Sequence, residues 1–433
     1  MIAQRLTLSQ ALAAARETRR LEIGSGILPQ VPALFRDVCP QRGAMLVADE
    51  NTMRAAGGAV QRAFESSGIT VRGPFVFHDP DLYAEYRFVE QLEAALKAHD
   101  AVPVAVGSGT INDLTKLAAH LTQRPSLCVA TAASMDGYTA FGSSITFQGS
   151  KQTFDCPAPV AVLADLDVIR AAPAEMTGWG YADLFAKVTA GADWLLADAL
   201  GVEPIHAQAW NIVQGGLHEA LTIPVAHDRL VEGLMLGGFA MQATKSSRPA
   251  SGAEHQFSHL WDMQHHTHEG QAPSHGAKVG IATQAVTALY ESLLKKPLHE
   301  LDADAAAAAW PDRETWLRRA EERFAEAELK AVALREIAAK HASREEVKMQ
   351  IISLKRQWPE LREKLRAQLV PPAEVKRRLQ AAGAPVEPEQ IGISKARLRQ
   401  SFVSAFFIRR RFTVLDLAMR CGVLESCLDE LFT

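Results

Sequence analysis

Through the first 170 residues, short apolar runs alternate with stretches of helical periodicity. Ala44 to Ala48 predicts a strand and Asn51 to Ser67 a helix; Gly73 to Phe77 and Tyr83 to His99 repeat the pair. Val102 to Val106 predicts a buried strand. It opens through Gly107-Ser108-Gly109-Thr110 into a helix that reaches about Leu121. Ser126 to Ala130 and Val160 to Ala164 complete the set. Strands alternating with helices imply βαβ units and a parallel, Rossmann-like sheet. From about Pro173 the periods lengthen and strand signals fade. Arg313 to Gln368 has the Ala, Glu, Lys, Arg and Leu composition of solvent-washed helices, interrupted afterwards by loops at Pro371-Pro372 and Ala382 to Pro388. The expected organisation is an α/β domain over residues 1–170 and an all-α domain over residues 171–433. Met1 to Ile23 predicts an amphipathic helix ending near Glu22.

Composition narrows the function classes. The chain has 433 residues, a formal net charge of -4 and 22% charged residues, so neither nucleic acid nor an anionic membrane is expected as its main partner. No apolar stretch approaches the roughly 20 residues of a bilayer span. Arg5, Arg16, Arg19 and Arg20 without a compact apolar segment do not make a secretory signal. Cys39, Cys128, Cys156, Cys421 and Cys427 are scattered without CxxC spacing, which suits a reducing cytoplasm.

The segment Val106 to Asp113 follows a strand and opens a helix. Gly107 and Gly109 would let the backbone approach a pyrophosphate, with free N–H groups and a favourable dipole at the helix start. The spacing departs from GxGxxG, so a plain tight turn is an equally good reading of the glycines alone. Asp49, at the tip of an early strand, is placed to take ribose hydroxyls and to repel a 2′-phosphate; its bland reading is a helix cap. Thr131, Ala132, Ala133 and Ser134 follow another strand, at the edge where a parallel sheet presents ligands.

Metal chemistry is suggested farther on. His255 and His259 are four apart and share a helix face; His275 sits at a helix start, before Gly276. Asp183 lies in an apolar, aromatic stretch, where a carboxylate is costly to bury without a cation or strong donors; a surface ion pair with Lys187 is the alternative. One carboxylate and two imidazoles can hold a divalent ion and leave positions open for substrate. His265, His266 and His268 form a rival cluster, expected to be a solvated loop.

Taken in order, these motifs resemble the glycerol-1-phosphate dehydrogenases, including bacterial AraM-type enzymes, of the iron-containing alcohol dehydrogenase and dehydroquinate synthase-like superfamily. The similarity runs from about Leu21 to Leu417. It is carried by Asp49 to Thr52, Gly107 to Asp113, Ser134 to Tyr138, Gly180 to Asp183, Ser247 to His255, His259 and Ser274 to Gly276. The resemblance implies a dehydroquinate synthase-like fold, with Asp183, His255 and His275 as ligands of zinc, nickel or iron. It implies substrate contacts from Asp136, Asp183 and His259. It places NAD(H) or NADP(H) on Asp49, Gly107, Ser108, Gly109, Thr110, Ile111 and Thr131 to Ser134. The implied reaction is reduction of dihydroxyacetone phosphate to sn-glycerol 1-phosphate by a homodimer. Related polyol dehydrogenases and a cyclising lyase are the alternatives. Relatives commonly carry Ser where this chain has Ala140. For the substrate phosphate the first candidate is Lys151, with Arg248 or Arg409 to Arg411 behind it; ordinary surface charge is at least as good a reading of the arginine run.

Overall fold

A computed structural model describes residues 3–148 and 150–433. Six parallel strands form the main sheet: β1 (Arg20–Gly24), β2 (Ala44–Asp49), β3 (Val71–Phe77), β4 (Val102–Gly107), β5 (Leu127–Ala130) and β8 (Ala161–Asp165). Their order is β1-β8-β5-β4-β2-β3. β2, β4, β5 and β8 are continuous apolar runs and are almost wholly buried, as strands of a parallel sheet covered on both faces must be. Val31, Leu34, Phe35, Val60 and Phe64 pack with Leu46, Val104, Val129 and Leu163 into one apolar cluster on the sheet. The fold expected from the sequence is present: a parallel α/β part followed by helices.

Two local expectations fail. Residues 20–24 are not the end of a helix. Leu8–Ala14 is helical, and the chain then becomes edge strand β1, paired in parallel with β8 from Arg20↔Ala161 to Gly24↔Asp165. Met1 and Ile2 of that expected helix lie outside the described residues. The sequence also gave no warning of an antiparallel hairpin, β6 (Ser143–Phe147) with β7 (Ser150–Phe154), which carries Lys151. Phe147 and Phe154 pack against Tyr86 of the helix Tyr86–Lys97.

By packing, the chain forms two units. One comprises residues 1–184 and 207–250, the other residues 185–206 and 251–433. Residue 170 marks only where strands give way to helices. The charged stretch after residue 313 is helical, with apolar stripes facing inward; Val347, Ile351, Leu354, Trp358, Leu361 and Leu365 are the buried positions of Arg344–Gln368.

Candidate active site

The order of the strands defines where a ligand fits. From β2 the chain steps outward to β3, then returns to place β4 on the other side of β2 and β5 beyond it. The carboxyl ends of β2 and β4 therefore flank a topological switch point, the crevice where open parallel sheets bind ligands. Asp49 ends β2 and Gly107 ends β4. Helix α1 (Gly109–Leu121) starts beside them, and Ser108 makes no side-chain capping bond, so its first-turn N–H groups have no side-chain cap. A Cβ on Gly107 would stand 2.5 Å from Ile111 Cβ, so only glycine allows this turn. Thr131 N–H donates to Gly107 O at 3.1 Å, joining the β5 segment Thr131 to Ser134 to the glycine turn. Asp49 is also a helix cap: its Oδ1 accepts Thr52 N–H at 2.8 Å. The cap and the ribose role both remain open to this half-buried carboxylate.

Helix α2 (Ala174–Ala199) carries Asp183, which is fully buried. Gly180, one turn earlier, lets the helix lie against the 133–134 main chain; a Cβ there would meet Ala133 O at 1.9 Å. That approach lets Asp183 Oδ2 accept the Asp136 N–H at 2.9 Å. Two more helices supply imidazoles. His255 and His259 lie on α3 (Ala253–Met263), and His275 is the first residue of α4 (His275–Leu293), capped by Ser274.

His255 on α3 and His275 on α4 face each other, their ring centroids 5.2 Å apart. Each donor is also oriented by a second partner, as metal ligands usually are. Glu254 Oε1 stands 2.8 Å from His255 Nδ1 and also accepts the Gly252 N–H at 2.6 Å; its Oε2 accepts the Thr189 hydroxyl at 2.8 Å. Ser258 Oγ lies 3.4 Å from His275 Nδ1. Both rings thus have a partner at Nδ1. Burial would raise the Glu254 carboxyl, but the bond to His255, its charge, and the Gly252 and Thr189 donors together hold it below the usual range. A mixed O,N,N set with this support fits zinc, nickel or iron.

His259 is outside the ligand group, with its ring 6.4 Å from those of both His255 and His275. Lys151 lies on the β6–β7 hairpin, half-buried. Arg410 is engaged by Glu336 through Nε and Nη2, and Arg411 donates to Ser251 O at 2.6 Å. His266 contradicts the expectation of a solvated loop cluster. Residues 264–271 do form a loop, but His266 is buried, its Nε2 2.6 Å from Ile391 O and its Nδ1 2.8 Å from Arg397.

Sequence reasoning missed Glu254 and Asp193. Asp193 is fully buried on α2; it accepts the Ala253 N–H, the Tyr290 hydroxyl and the Val414 N–H, pinning the start of α3. Glu254 was detectable in principle, as an acidic residue in a first helical turn directly before a candidate ligand histidine. Asp193 gave no local signal.

Comparisons with known proteins show the family and the fold. Residues 22–173 match the family model of iron-containing alcohol dehydrogenase. The chain is 32% identical over 301 residues to a glycerol-1-phosphate dehydrogenase (NAD(P)+) of Halalkalibacterium halodurans, covering 66% of this chain and 74% of that one. It is 29% identical over 407 residues to the protein of the same name from Geobacillus stearothermophilus, covering 92% and 91%. Among solved structures, glycerol dehydrogenase from Schizosaccharomyces pombe shares the fold with a TM-score of 0.57 at 15% identity, over 99% of this chain and 92% of that one.

Proposed function

The chain belongs to the glycerol-1-phosphate dehydrogenases of the iron-containing alcohol dehydrogenase family, and we propose that it reduces dihydroxyacetone phosphate to sn-glycerol 1-phosphate with NADH or NADPH. The observation that carries the reading is a ligand set prepared by its neighbours: His255 and His275 face each other with a partner at each Nδ1, and the buried Asp183 carboxylate accepts the Asp136 N–H. A divalent cation held by these three side chains would act as a Lewis acid on the substrate carbonyl. The reduced nicotinamide supplies the hydride when bound.

The remaining work falls to the chain itself. The glycine turn and the start of α1 hold the pyrophosphate, and Asp49 takes ribose hydroxyls. Asp136 hydrogen-bonds a substrate hydroxyl and so fixes the ketone. His259 delivers the proton to the oxygen that becomes the C2 hydroxyl; an imidazole is suited to that transfer near neutral pH. Lys151, on the β6–β7 hairpin, is the first choice for the phosphate. No helix of the described residues is long and apolar enough to cross a membrane, and the proposed enzyme is a cytoplasmic homodimer.

NADH oxidation by metal-reconstituted protein tests the reading, with dihydroxyacetone phosphate beside free dihydroxyacetone and a metal-stripped control. Metal-dependent turnover confined to the phosphate ester, yielding the sn-1 product, is expected. Turnover of the free ketone alone would overturn the substrate assignment.

A further inference from the structure

Lys116 lies in the second turn of α1 after the glycine segment and is 2% exposed. A buried ammonium is costly unless its donors are used. Here Nζ donates to the carbonyls of Gly142 at 2.7 Å, Gly137 at 3.2 Å and Ala140 at 3.4 Å, and pairs with Asp113 Oδ1 at 2.9 Å. Its neighbours grip the same stretch of chain. Asn112 Nδ2 donates to Gly137 O at 3.0 Å, and Asp113 Oδ2 accepts the Ser144 N–H at 3.2 Å. Three side chains of one helix therefore hold residues 137–144.

The residue just before that stretch is Asp136, whose N–H is bonded to Asp183. Asp136 directly precedes the turn that Lys116 gathers. The three carbonyls belong to a 3₁₀ turn (Gly137–Thr139) and the chain leaving it; on its other side Thr139 donates to Met235 O at 2.7 Å and its carbonyl accepts Gln242 Nε2 at 2.6 Å, so Lys116 supplies the tie to α1. The same helix offers its first-turn N–H groups to the dinucleotide, about 10 Å away along the axis at 1.5 Å per residue.

We propose that Lys116 is a positioning residue: it clamps the Gly137–Gly142 turn to the helix of the dinucleotide loop and so holds Asp136 in place against Asp183. The proposal rests on the reading that Asp136 contacts the substrate. Lys116 itself touches neither substrate nor cofactor.

The test compares wild type, Lys116→Met, Asn112→Ala and a control, Thr115→Val, which removes a bond from the same helix to its own Ile111 carbonyl. Lys116→Met is expected to lower kcat/KM for dihydroxyacetone phosphate about 10–100-fold, mostly through KM, since small misplacements of a positioning group act on that scale. NADH affinity by fluorescence stays within about threefold of wild type, so the loss is specific to the ketone. Asn112→Ala gives the same split at about 3–10-fold, the worth of one hydrogen bond. Thr115→Val leaves both parameters near wild type. Amide exchange over residues 137–144 speeds up in Lys116→Met and not in Thr115→Val.

A folded Lys116→Met enzyme with wild-type kcat/KM overturns the proposal, and so does an equal loss of NADH affinity. If Lys116→Met does not fold, Asn112→Ala decides: no split between ketone and NADH overturns it. Wild-type silence with the ketone phosphate would defeat the functional reading instead. Exchange over 137–144 then judges the clamp alone, and unchanged protection in Lys116→Met overturns it.

Discussion

Replacing Glu254 by leucine tests how the candidate metal centre is held. Glu254 is fully buried, and three donors converge on its two oxygens: His255 Nδ1, the Gly252 N–H and the Thr189 hydroxyl. With both oxygens accepting, we assign the ring proton to Nδ1 and the lone pair to Nε2, the atom an ion needs. Leucine removes the acceptor. The proton of His255 can then settle on Nε2, and the ring must change tautomer and orientation before it can ligate. Loss of such a partner lowers metal affinity about 10–100-fold, or about 1.4–2.7 kcal/mol. Separately, the buried Gly252 N–H is orphaned, at a stability cost of about 1–3 kcal/mol in the metal-free protein. Thr189 costs little, because its hydroxyl has a second acceptor in Ala186 O at 3.0 Å.

Glutamine separates hydrogen-bond acceptance from charge. Its carbonyl oxygen can take both His255 and Gly252, while its NH2 meets Thr189 Oγ1, which can accept while donating to Ala186. Glu254→Gln is therefore expected to lose less than about tenfold in affinity. The assay is competition for the metal against a chelator of known affinity at fixed pH, with thermal midpoints of the metal-free forms recorded beside it. Folded Glu254→Leu binding metal as tightly as wild type would refute the argument. Equal losses in the glutamine and leucine variants would refute the tautomer reasoning and leave charge as the cause.

Three further expectations follow from the geometry. Gly180→Ala places a methyl 1.9 Å from Ala133 O, forcing α2 off the 133–134 chain; turnover should fall at least about tenfold and stability by about 1–3 kcal/mol, read by initial rates and a thermal midpoint. Asp49→Ala should weaken NADH binding and narrow the preference over NADPH, since repulsion of a 2′-phosphate is relieved; it also removes the cap on Thr52, about 1 kcal/mol, and an unchanged cofactor preference would leave Asp49 as a cap alone. Burial works to raise Glu336, but Arg410 and Arg335 hold its carboxyl down at about 2 from an ordinary 4.5. A depressed acid stabilises the fold above its unfolded value and loses that contribution as pH falls from about 4.5 toward about 2, on the order of 2 kcal/mol after solvent screening. Urea midpoints measured across that window should fall more steeply in wild type than in Glu336→Gln, and parallel curves would refute the assignment.

What could be read along the chain was whatever local pattern determines. The run Val102 to Gly107 is apolar at every position because both faces of β4 are covered, and the glycine turn with the helix after it followed directly. Edge strand β1 could not be read this way. Only Leu21 of its five residues is buried, and what makes it a strand is a partner about 140 residues later. The hairpin β6–β7 is polar in sequence, and its aromatic contacts come from Tyr86 on a separate helix. The same division runs through the candidate site. Asp183 drew notice as a carboxylate in an apolar stretch, His255 by its i,i+4 spacing with His259, and His275 by its place at a helix start. Their supports did not, since Lys116, Glu254 and Asp193 look in sequence like ordinary charges on helices. Their meaning lies in three-dimensional neighbours: Lys116 faces carbonyls 21 to 26 residues away, and Asp193 binds groups 60, 97 and 221 residues away. A charge on the buried face of a helix is thus worth testing as a clamp before it is counted as surface. Lys116, between Thr115 and Leu117 and buried with both, is the case in this chain where that reasoning carries to the proposed site.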